Sequence, residues 1–408
     1  MTPAQAHRLL AAAMATLLIL GVAPTGAAQA DGPFIVVEVK QSGGFDLETM
    51  SLIDDAVRAV GADSTELHRV TLRLMRVTRG EQVIQQAPVG YGYPMLTMAV
   101  DPETPVVPVD LRAPLARGEA VMGEITARLR GAEVGDVVEL ESLGRQVVPV
   151  RIGAIVPDQQ LRWSELWLGS SAIPDLGFDR PYSVVAWGER PTPLAVAIGI
   201  WTSDPDVRVI DGSGGAGSTD PVLPVAIVKE RFGEFALRPA QGDTVLVDPG
   251  WRNSAIVTVD FPIVGQTRCH RMVAPYIRAA LNEVEQRGLA SVLDRGDFQL
   301  AGGCFNPRFN RGADPGYSLS RHSWGIAVDF NPSTNRYGEE PSLSSGVVEI
   351  FQRWGFSWGG NWSVPDGMHF EWHSLPVEYS TGCSDLTAVA DSTPSRWTLL
   401  PAPPGGCR

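Results

Sequence analysis

Two stretches in the second half of the chain decide its fold and its chemistry. Residues 320–329 read SRHSWGIAVD, and residues 365–373 read PDGMHFEWH. Three of the six histidines of the 408-residue chain lie in these two stretches. Imidazoles and carboxylates are ligands that zinc takes in proteins, so their density here predicts a metal site.

The first stretch ends in an alternating pattern that is typical of a strand. From residue 326 to residue 331, large apolar side chains alternate with smaller or polar ones, so Asp329 lies on the face opposite the apolar one. A turn at Gly325 connects this strand to His322. The pattern therefore predicts that His322 and Asp329 converge on one ion.

The second stretch opens with Pro-Asp-Gly, which favours a turn, and continues as another alternating strand. His369, Glu371 and His373 share one face of that strand, and Asp366 lies in the turn before it. Two imidazoles and one carboxylate suit zinc and leave a fourth position for water, whose pKa zinc lowers toward ~7. A carboxylate beside this water, such as that of Asp366, can accept its proton.

The motifs S-x-H-x-x-G-x-A-x-D and D-x-x-H-F-E, in this order, resemble those of the VanY-type zinc D-alanyl-D-alanine carboxypeptidases. This group includes L-alanyl-D-glutamate endopeptidases and shares its fold with the Hedgehog signalling domain. The resemblance covers residues 223–382. It implies an α+β domain in which an antiparallel sheet carries the zinc site, with helices on one side.

Carried over residue by residue, the resemblance implies one zinc ion bound by His322, Asp329 and His369. It implies that Asp366 is the general base. It also implies that Arg308 steadies the oxyanion or the substrate.

Two of these roles have alternatives. Arg311 can take the place of Arg308, because the spacing before the first motif varies among such proteins. Glu371 is a second candidate base, although its role in the family can be structural. Three further residues are expected to lie near the substrate, namely Ser320, Trp324 and Trp362.

The resemblance also implies the reaction, which is hydrolysis of peptide bonds in peptidoglycan stem peptides. The D-Ala–D-Ala bond is the first expectation, because that branch of the family shares the context of Trp358-Gly359-Gly360 and of residues 366–372. The L-Ala–D-Glu bond is the alternative. A non-catalytic zinc-containing binding module is a further alternative, which the presence of both the ligands and a base disfavours.

Residues 1–30 resemble a secretory signal peptide, with an apolar run from Leu9 to Val22 and a cleavage pattern at Ala28-Gln29-Ala30. The sequence therefore predicts a secreted or cell-envelope protein, with an uncleaved N-terminal anchor as the alternative. The formal charge of −13 argues against a general nucleic-acid binder.

All four cysteines lie in the second half of the chain, at Cys269, Cys304, Cys383 and Cys407. An even number in an oxidising compartment favours two disulfides. The pairing Cys269–Cys304 with Cys383–Cys407 is favoured because each bond then joins neighbouring segments, and two other pairings stay open. A zinc site made of thiolates is disfavoured, because no C-x-x-C spacing occurs.

Composition divides the chain into a signal peptide (1–30), an accessory α/β domain (31–203), a flexible linker (204–222), a zinc peptidase domain (223–382) and a Pro-rich tail (383–408). The linker is rich in Asp, Gly, Ser and Pro, which bury little apolar surface. The accessory domain carries no catalytic motif. Residues 122–124, 135–138 and 151–158 lie in a stretch, about half of this domain, that resembles the extracytoplasmic domain of FtsX- and MacB-like permeases. The domain is a candidate to bind a cell-envelope partner.

Hydrophobic periodicity predicts further elements. In the first half it predicts strands at 34–39, 70–77, 137–143 and 147–156, with helices at 52–60 and 120–129. In the second half it predicts helices at 275–287 and 343–354 and a short strand at 298–301.

Overall fold

A computed structural model of the chain describes residues 34–39, 47–162, 164–177, 181–188, 207–211, 222–310, 318–362 and 364–375. The predictions for residues 1–30, for Arg311, for Cys383 and Cys407 and for the Pro-rich tail lie outside these ranges. Within these ranges, no helix combines the length and the apolar character that a membrane span requires.

Strands dominate the first half of the chain. They are β1 (Phe34–Val39), β2 (Asp63–Arg79), β3 (Gln82–Gln86), β4 (Tyr93–Val100), β5 (Ala120–Gly123), β6 (Val137–Glu141), β7 (Val147–Val156), β8 (Leu166–Gly169), β9 (Ser183–Trp187) and β10 (Val207–Asp211). The α-helices are α1 (Leu47–Ala59), α2 (Val109–Ala116), α3 (Glu124–Arg130) and α4 (Ile173–Leu176). The described part of this half is therefore mixed α/β, as predicted.

These strands form one sheet in the order β10-β1-β9-β2-β4-β8-β5-β7-β6, with β3 paired to β2. Strand β6 pairs with β2 as well as with β7. A closed barrel therefore forms from six strands, in the order β2-β4-β8-β5-β7-β6. The 17-residue strand β2 belongs to the barrel and also pairs with β9, from which the sheet continues through β1 to β10. Apolar side chains, among them Leu74, Met95, Val138 and Ile152, are fully buried in the barrel core.

Two predictions for the first half are wrong in part. Residues 120–123, predicted as the start of a helix, form β5, because all four are buried and pair with β7 and β8. Tertiary packing outweighs the local preference here. Residues 207–211 lie inside the predicted linker but form β10 against β1. The β-branched residues Val207, Val209 and Ile210 favour this strand.

The second half combines short strands with helices. Its strands are β11 (Leu237–Pro239), β12 (Val245–Val247), β13 (Ile256–Phe261), β14 (Gly265–His270), β15 (Ala327–Asp329), β16 (Phe356–Trp358) and β17 (His369–Trp372). Its α-helices are α5 (Val225–Phe232), α6 (Pro249–Ala255), α7 (Ala274–Gln286), α8 (Arg295–Leu300) and α9 (Ser345–Arg353). Strands β15, β17 and β16 form an antiparallel sheet in that order.

Helices α7 and α9 confirm the two predicted helices, and their buried faces join one core with the aromatic residues of the small sheet. The predicted strand at 298–301 is wrong. Asp294 accepts a hydrogen bond from the backbone N–H of Asp297 at 2.9 Å and so begins α8. Phe298 extends from that helix into the core and is fully buried.

A disulfide joins Cys269, in β14, to Cys304, as predicted. The Cα atoms of the two residues lie 5.2 Å apart, and both residues are fully buried. The bond holds the loop after α8 against the β13–β14 hairpin. It thereby positions the backbone of Cys304, which contacts the site described below.

His270 ends β14 and is buried beside the ring of Phe232. Its Nε2–H donates to the carbonyl of Phe232 at 3.2 Å, and its Nδ1 accepts from the N–H of Met272 at 3.3 Å. Burial lowers the pKa of His270 from its ordinary value of 6.5 to about 4. The ring is therefore neutral in the folded protein at neutral pH.

The folded protein is expected to lose stability as the pH falls from 6.5 to about 4, because the unfolded chain then binds a proton at His270 that the folded chain does not. The loss of unfolding free energy amounts to about 3 kcal/mol at most. Urea unfolding at neutral and at mildly acidic pH measures it. His270→Gln is the control, since its amide can replace both hydrogen bonds without titrating. Equal losses in the two proteins would contradict the prediction.

Candidate metal centre

The three predicted ligands come together at one end of the small antiparallel sheet. His322 lies in a short 3-10 helix (Arg321–Trp324), Asp329 ends β15, and His369 begins β17. The antiparallel register pairs Asp329 directly with His369. Gly325 adopts the left-handed conformation, with a φ of 67°, and turns the chain from the 3-10 helix toward β15.

Asp329 is the centre of this cluster. Its Oδ1 lies 3.1 Å from Nε2 of His322 and 2.9 Å from Nδ1 of His369. Each residue offers one ligand atom, these atoms lie within 4.8 Å of one another, and all three residues are buried. The cluster can hold a metal ion, because it directs two nitrogens and one oxygen toward a common region.

The hydrogen bonds of His322 select the tautomer that a metal ligand needs. Its Nδ1 lies 3.1 Å from the carbonyl oxygen of Cys304 and donates to it, since a carbonyl only accepts. In the neutral ring, Nε2 therefore presents its lone pair to the cluster. This nitrogen is buried and faces Oδ1 of Asp329 at 3.1 Å, so that in this tautomer two acceptor atoms face each other. A cation fits here, because two buried acceptors that face each other are unfavourable unless a positive group lies between them.

Carboxylates contact both ring nitrogens of His369. Nδ1 faces Asp329, and Nε2 lies 3.3 Å from Oε2 of Glu371. Glu371 is itself buried, and its Oε1 lies 3.7 Å from Nε of Arg321. A carboxylate that accepts from the second nitrogen of a metal-bound imidazole orients the ring. This contact favours an orienting role for Glu371 over the alternative role of base.

The charges of the cluster favour a proton at His369. Burial acts to lower its pKa, but the hydrogen bonds to Asp329 and Glu371 and the charge of Asp366 raise it to about 10. Burial acts to raise the pKa of Asp329, yet the two imidazoles hold it well below the ordinary range. Burial lowers the pKa of His322. A metal ion bound by the cluster therefore has to displace the proton of His369.

Asp366 lies in the turn that leads into β17. Its backbone N–H donates to the carbonyl of Gly359 at 2.9 Å, and its own carbonyl accepts from the N–H of His369 at 3.0 Å. The residue is half-buried, and its charge acts on His369. Asp366 is thus close to the cluster without being one of its three members.

Arg308 also contacts the cluster, since its Nη2 lies 3.8 Å from Oδ2 of Asp329. Its backbone contacts Oγ of Ser323 at 3.0 Å, and its carbonyl accepts from the N–H of Ser320 at 3.0 Å. Ser320 is buried, and its Oγ accepts from the N–H of His322 at 3.3 Å. The side chain of Ser320 thus caps the 3-10 helix, and its role toward the substrate stays a prediction.

The two tryptophans that were expected near the substrate have different surroundings. Trp324 is fully buried, its indole N–H donates to the carbonyl of Gly233 at 3.2 Å, and its ring lies 4.8 Å from that of Phe235. The prediction that Trp324 lines a cleft is therefore wrong. The ring of Trp362 is partly exposed and lies 5.4 Å from that of His369. Trp362 stays a candidate wall of the substrate cleft.

Sequence reasoning missed three contacts that hold these side chains in place. The carbonyl of Cys304 accepts from the imidazole of His322, and Arg321 lies close to the carboxylate of Glu371. The backbone of Gly359 packs closely against Asp366. The alternation of the second strand placed Glu371 on the correct face. A contact made by a backbone carbonyl leaves no mark on side-chain identity, so no pattern points to Cys304.

Gly359→Ala is expected to disturb the candidate site while the fold persists. A β-carbon at this position would lie 2.7 Å from the carbonyl oxygen of Asp366 and 3.4 Å from the β-carbon of His369. The turn therefore has to move by a few tenths of an ångström. We expect the peptidase activity that the sequence predicts to fall by about 10-fold or more, because small misplacements of reacting groups cost up to about 10²-fold.

Steady-state peptide hydrolysis and thermal unfolding measure the two effects of Gly359→Ala. Gly144→Ala is the matched control, because a β-carbon there would approach no other atom closer than 3.7 Å. Equal activity of both variants and the wild type would show that the close approach at Gly359 does not matter.

Comparison with known proteins supports a peptidase. Residues 313–372 match the model of a peptidase family described as D-alanyl-D-alanine carboxypeptidase. The matched stretch contains His322, Asp329, Asp366 and His369, whereas Arg308 precedes it. No curated protein matches the chain significantly. The match therefore supports a peptidase in the second half of the chain.

Proposed function

We propose that this protein is an exported zinc metallopeptidase that hydrolyses peptidoglycan stem peptides, most of all at the D-Ala–D-Ala bond. The convergence of His322, Asp329 and His369, whose ligand atoms lie within 4.8 Å of one another, carries the proposal. The family match over the same residues supports the same reaction.

Zinc is the metal that this donor set suits best. Two imidazoles and one carboxylate are typical ligands of catalytic zinc sites, whereas calcium and magnesium prefer oxygen ligands. The buried lone pair of His322 Nε2 supports a cation at this position. When bound, zinc supplies Lewis-acid chemistry, in that it acidifies water and polarises the carbonyl of the scissile bond.

The surrounding residues have separate roles in this proposal. Asp366 accepts the proton of the attacking water and returns it to the leaving amine. Arg308, whose Nη2 lies 3.8 Å from Asp329, stabilises the negative charge that develops on the carbonyl oxygen. Glu371 keeps the ring of His369 in the orientation that a ligand needs.

Localisation and domain organisation are part of the proposal. We propose export through residues 1–30, an accessory domain at 31–203 that binds a partner in the cell envelope, and a peptidase domain at 223–382. The disulfide between Cys269 and Cys304 supports export, because disulfides persist in oxidising compartments.

Mass spectrometry of stem pentapeptide and cross-linked muropeptides tests the proposal. Residues 31–408 are incubated with these substrates in the presence of zinc or of a chelator. Loss of a single terminal alanine that requires zinc is the expected result. Cleavage between L-Ala and D-Glu would assign the site to the endopeptidase alternative. If zinc binds and every peptide stays intact, the chain is a binding module and the proposal fails.

A further inference from the structure

Lys229 is one of two lysines in the chain and is fully buried. It lies on α5, but its ammonium contacts the first half of the chain. Its Nζ lies 2.8 Å from both carboxylate oxygens of Glu165 and also donates to the carbonyl of Pro94. Glu234, just after α5, lies 3.1 Å from the same Nζ. Lysine is rarely buried to this degree unless it is paired.

Arg130 completes a network of four charged side chains, which we call the buried quartet: Arg130, Glu165, Lys229 and Glu234. Nη2 of Arg130 lies 2.5 Å from Oε1 of Glu234, and no side chain of the quartet is more than 8% exposed. Each half of the chain contributes one cation and one anion, and ion pairs cross between the halves. Removal of one member would leave an uncompensated buried charge, which is strongly unfavourable.

Further contacts surround the buried quartet. Gly92 and Leu237 exchange two backbone hydrogen bonds, of 2.9 and 2.8 Å. At the exposed edge, Arg128 pairs with Glu230. A buried centre with a polar, solvent-accessible rim is typical of a specific interface. The first half of the chain and α5 therefore meet in one defined arrangement.

The C-terminal end of α5 contacts both elements that carry the imidazoles of the metal centre. The carbonyl of Gly233 accepts from the indole N–H of Trp324, in the 3-10 helix that carries one imidazole. The ring of Phe232 packs edge-on against Trp372, 5.4 Å away, in the strand β17 that carries the other imidazole. Movement of α5 would therefore reach both elements.

The segment just before α5 makes a second contact with the centre. Arg321 donates to the carbonyl of Leu223, and its Nε lies 3.7 Å from Oε1 of Glu371. Glu371 in turn contacts Nε2 of His369 at 3.3 Å. Both ends of α5 are thus linked by direct contacts to groups that hold the two imidazoles.

We infer that the described residues between 34 and 211 are a positioning part of the metal centre. Through the buried quartet they hold α5, and α5 supports the elements that carry His322 and His369. The inference rests on the proposed function in taking these residues as metal ligands. The first half is then no independent module on a tether, and a change in the quartet alters metal binding although the quartet lies outside the metal cluster.

Cleavage between the halves of the full chain tests the contact itself. A protease site is introduced into residues 212–221, which are rich in Gly and Ser, and is cut after purification. The two fragments are expected to co-elute in size-exclusion chromatography even at high salt, because buried ion pairs are screened little. Separation of the fragments would overturn the inference.

Cobalt absorption in the uncut chain tests the effect on the metal centre, since its visible bands report ligand geometry. Glu165→Gln removes the charge that faces Lys229. We expect the cobalt affinity of this variant to fall by about tenfold or more and its absorption bands to shift. Loss of a group that positions a metal ligand has an effect of this size in other metal sites. Adding Lys229→Met restores charge balance and is expected to recover much of both. Arg128→Gln breaks only the exposed pair and should change neither.

The outcomes separate this inference from the proposed function. Wild-type cobalt affinity and bands in a folded Glu165→Gln would overturn the inference and leave the metal site in place. If circular dichroism shows that Glu165→Gln does not fold, two other measurements test the inference. They are the co-elution of the fragments of the cut wild-type chain and the cobalt affinity and bands of the double variant. A wild-type chain that binds no cobalt would overturn the proposed function together with the inference.

Discussion

His322→Ala is expected to abolish metal binding and to lower hydrolysis of stem peptides by at least about 10³-fold. Loss of a partner behind a ligand already costs about 10- to 100-fold, and loss of one of three ligands costs more. Nε2 of His322 is the nitrogen whose buried lone pair faces Oδ1 of Asp329 at 3.1 Å. Alanine at this position supplies no donor atom, and Asp329 and His369 alone do not make a closed site.

His373→Ala is the matched control for this variant. His373 follows β17 and is not a member of the three-residue cluster, so its removal should leave metal content and turnover near wild type. Metal content after dialysis, turnover of stem pentapeptide and thermal unfolding are measured for both variants. We expect His322→Ala to unfold cooperatively, with a loss of about 1–3 kcal/mol for a buried residue. Stoichiometric metal in this variant would refute the role of His322 as ligand.

Part of the arrangement of the site could be predicted from the sequence because its determinants are local. Period-two alternation placed Asp329 and Glu371 on the polar faces of two strands, and Gly325 supplied the turn between His322 and the first strand. The antiparallel register then pairs Asp329 with His369, which brings the ligands together. The two residues are 40 positions apart in the sequence, and the choice of His369 as a ligand came from the family resemblance and not from the local pattern.

The sequence-based predictions fail where contacts between residues far apart in the sequence determine the structure. Trp324 lies next to a motif residue in sequence, but its ring packs against Phe235, which belongs to a distant segment. Strand β5 is a strand because of its neighbours in the barrel. Lys229 and Glu165 are 64 residues apart, and no sequence pattern connects them. The sequence-based division into domains therefore did not foresee these direct contacts between the two halves.

Asp366→Asn is expected to keep the metal and to lower turnover by about 10²- to 10⁴-fold, the usual contribution of general acid–base catalysis. Asparagine has nearly the shape of aspartate but cannot accept a proton and return it. The hydrogen bonds that hold the turn join backbone atoms of residue 366 to Gly359 and His369, so the turn should persist. Metal content and turnover with saturating zinc measure the effect.

Glu371→Gln distinguishes the two candidate bases. Because Glu371 contacts Nε2 of His369 at 3.3 Å, its replacement should weaken metal affinity by about 10- to 100-fold. Excess zinc should then restore the turnover of Glu371→Gln, whereas it should not restore that of Asp366→Asn, since the latter lacks the proton acceptor rather than the metal. The reverse result, with turnover lost at saturating zinc only in Glu371→Gln, would make Glu371 the base and leave Asp366 as a turn residue.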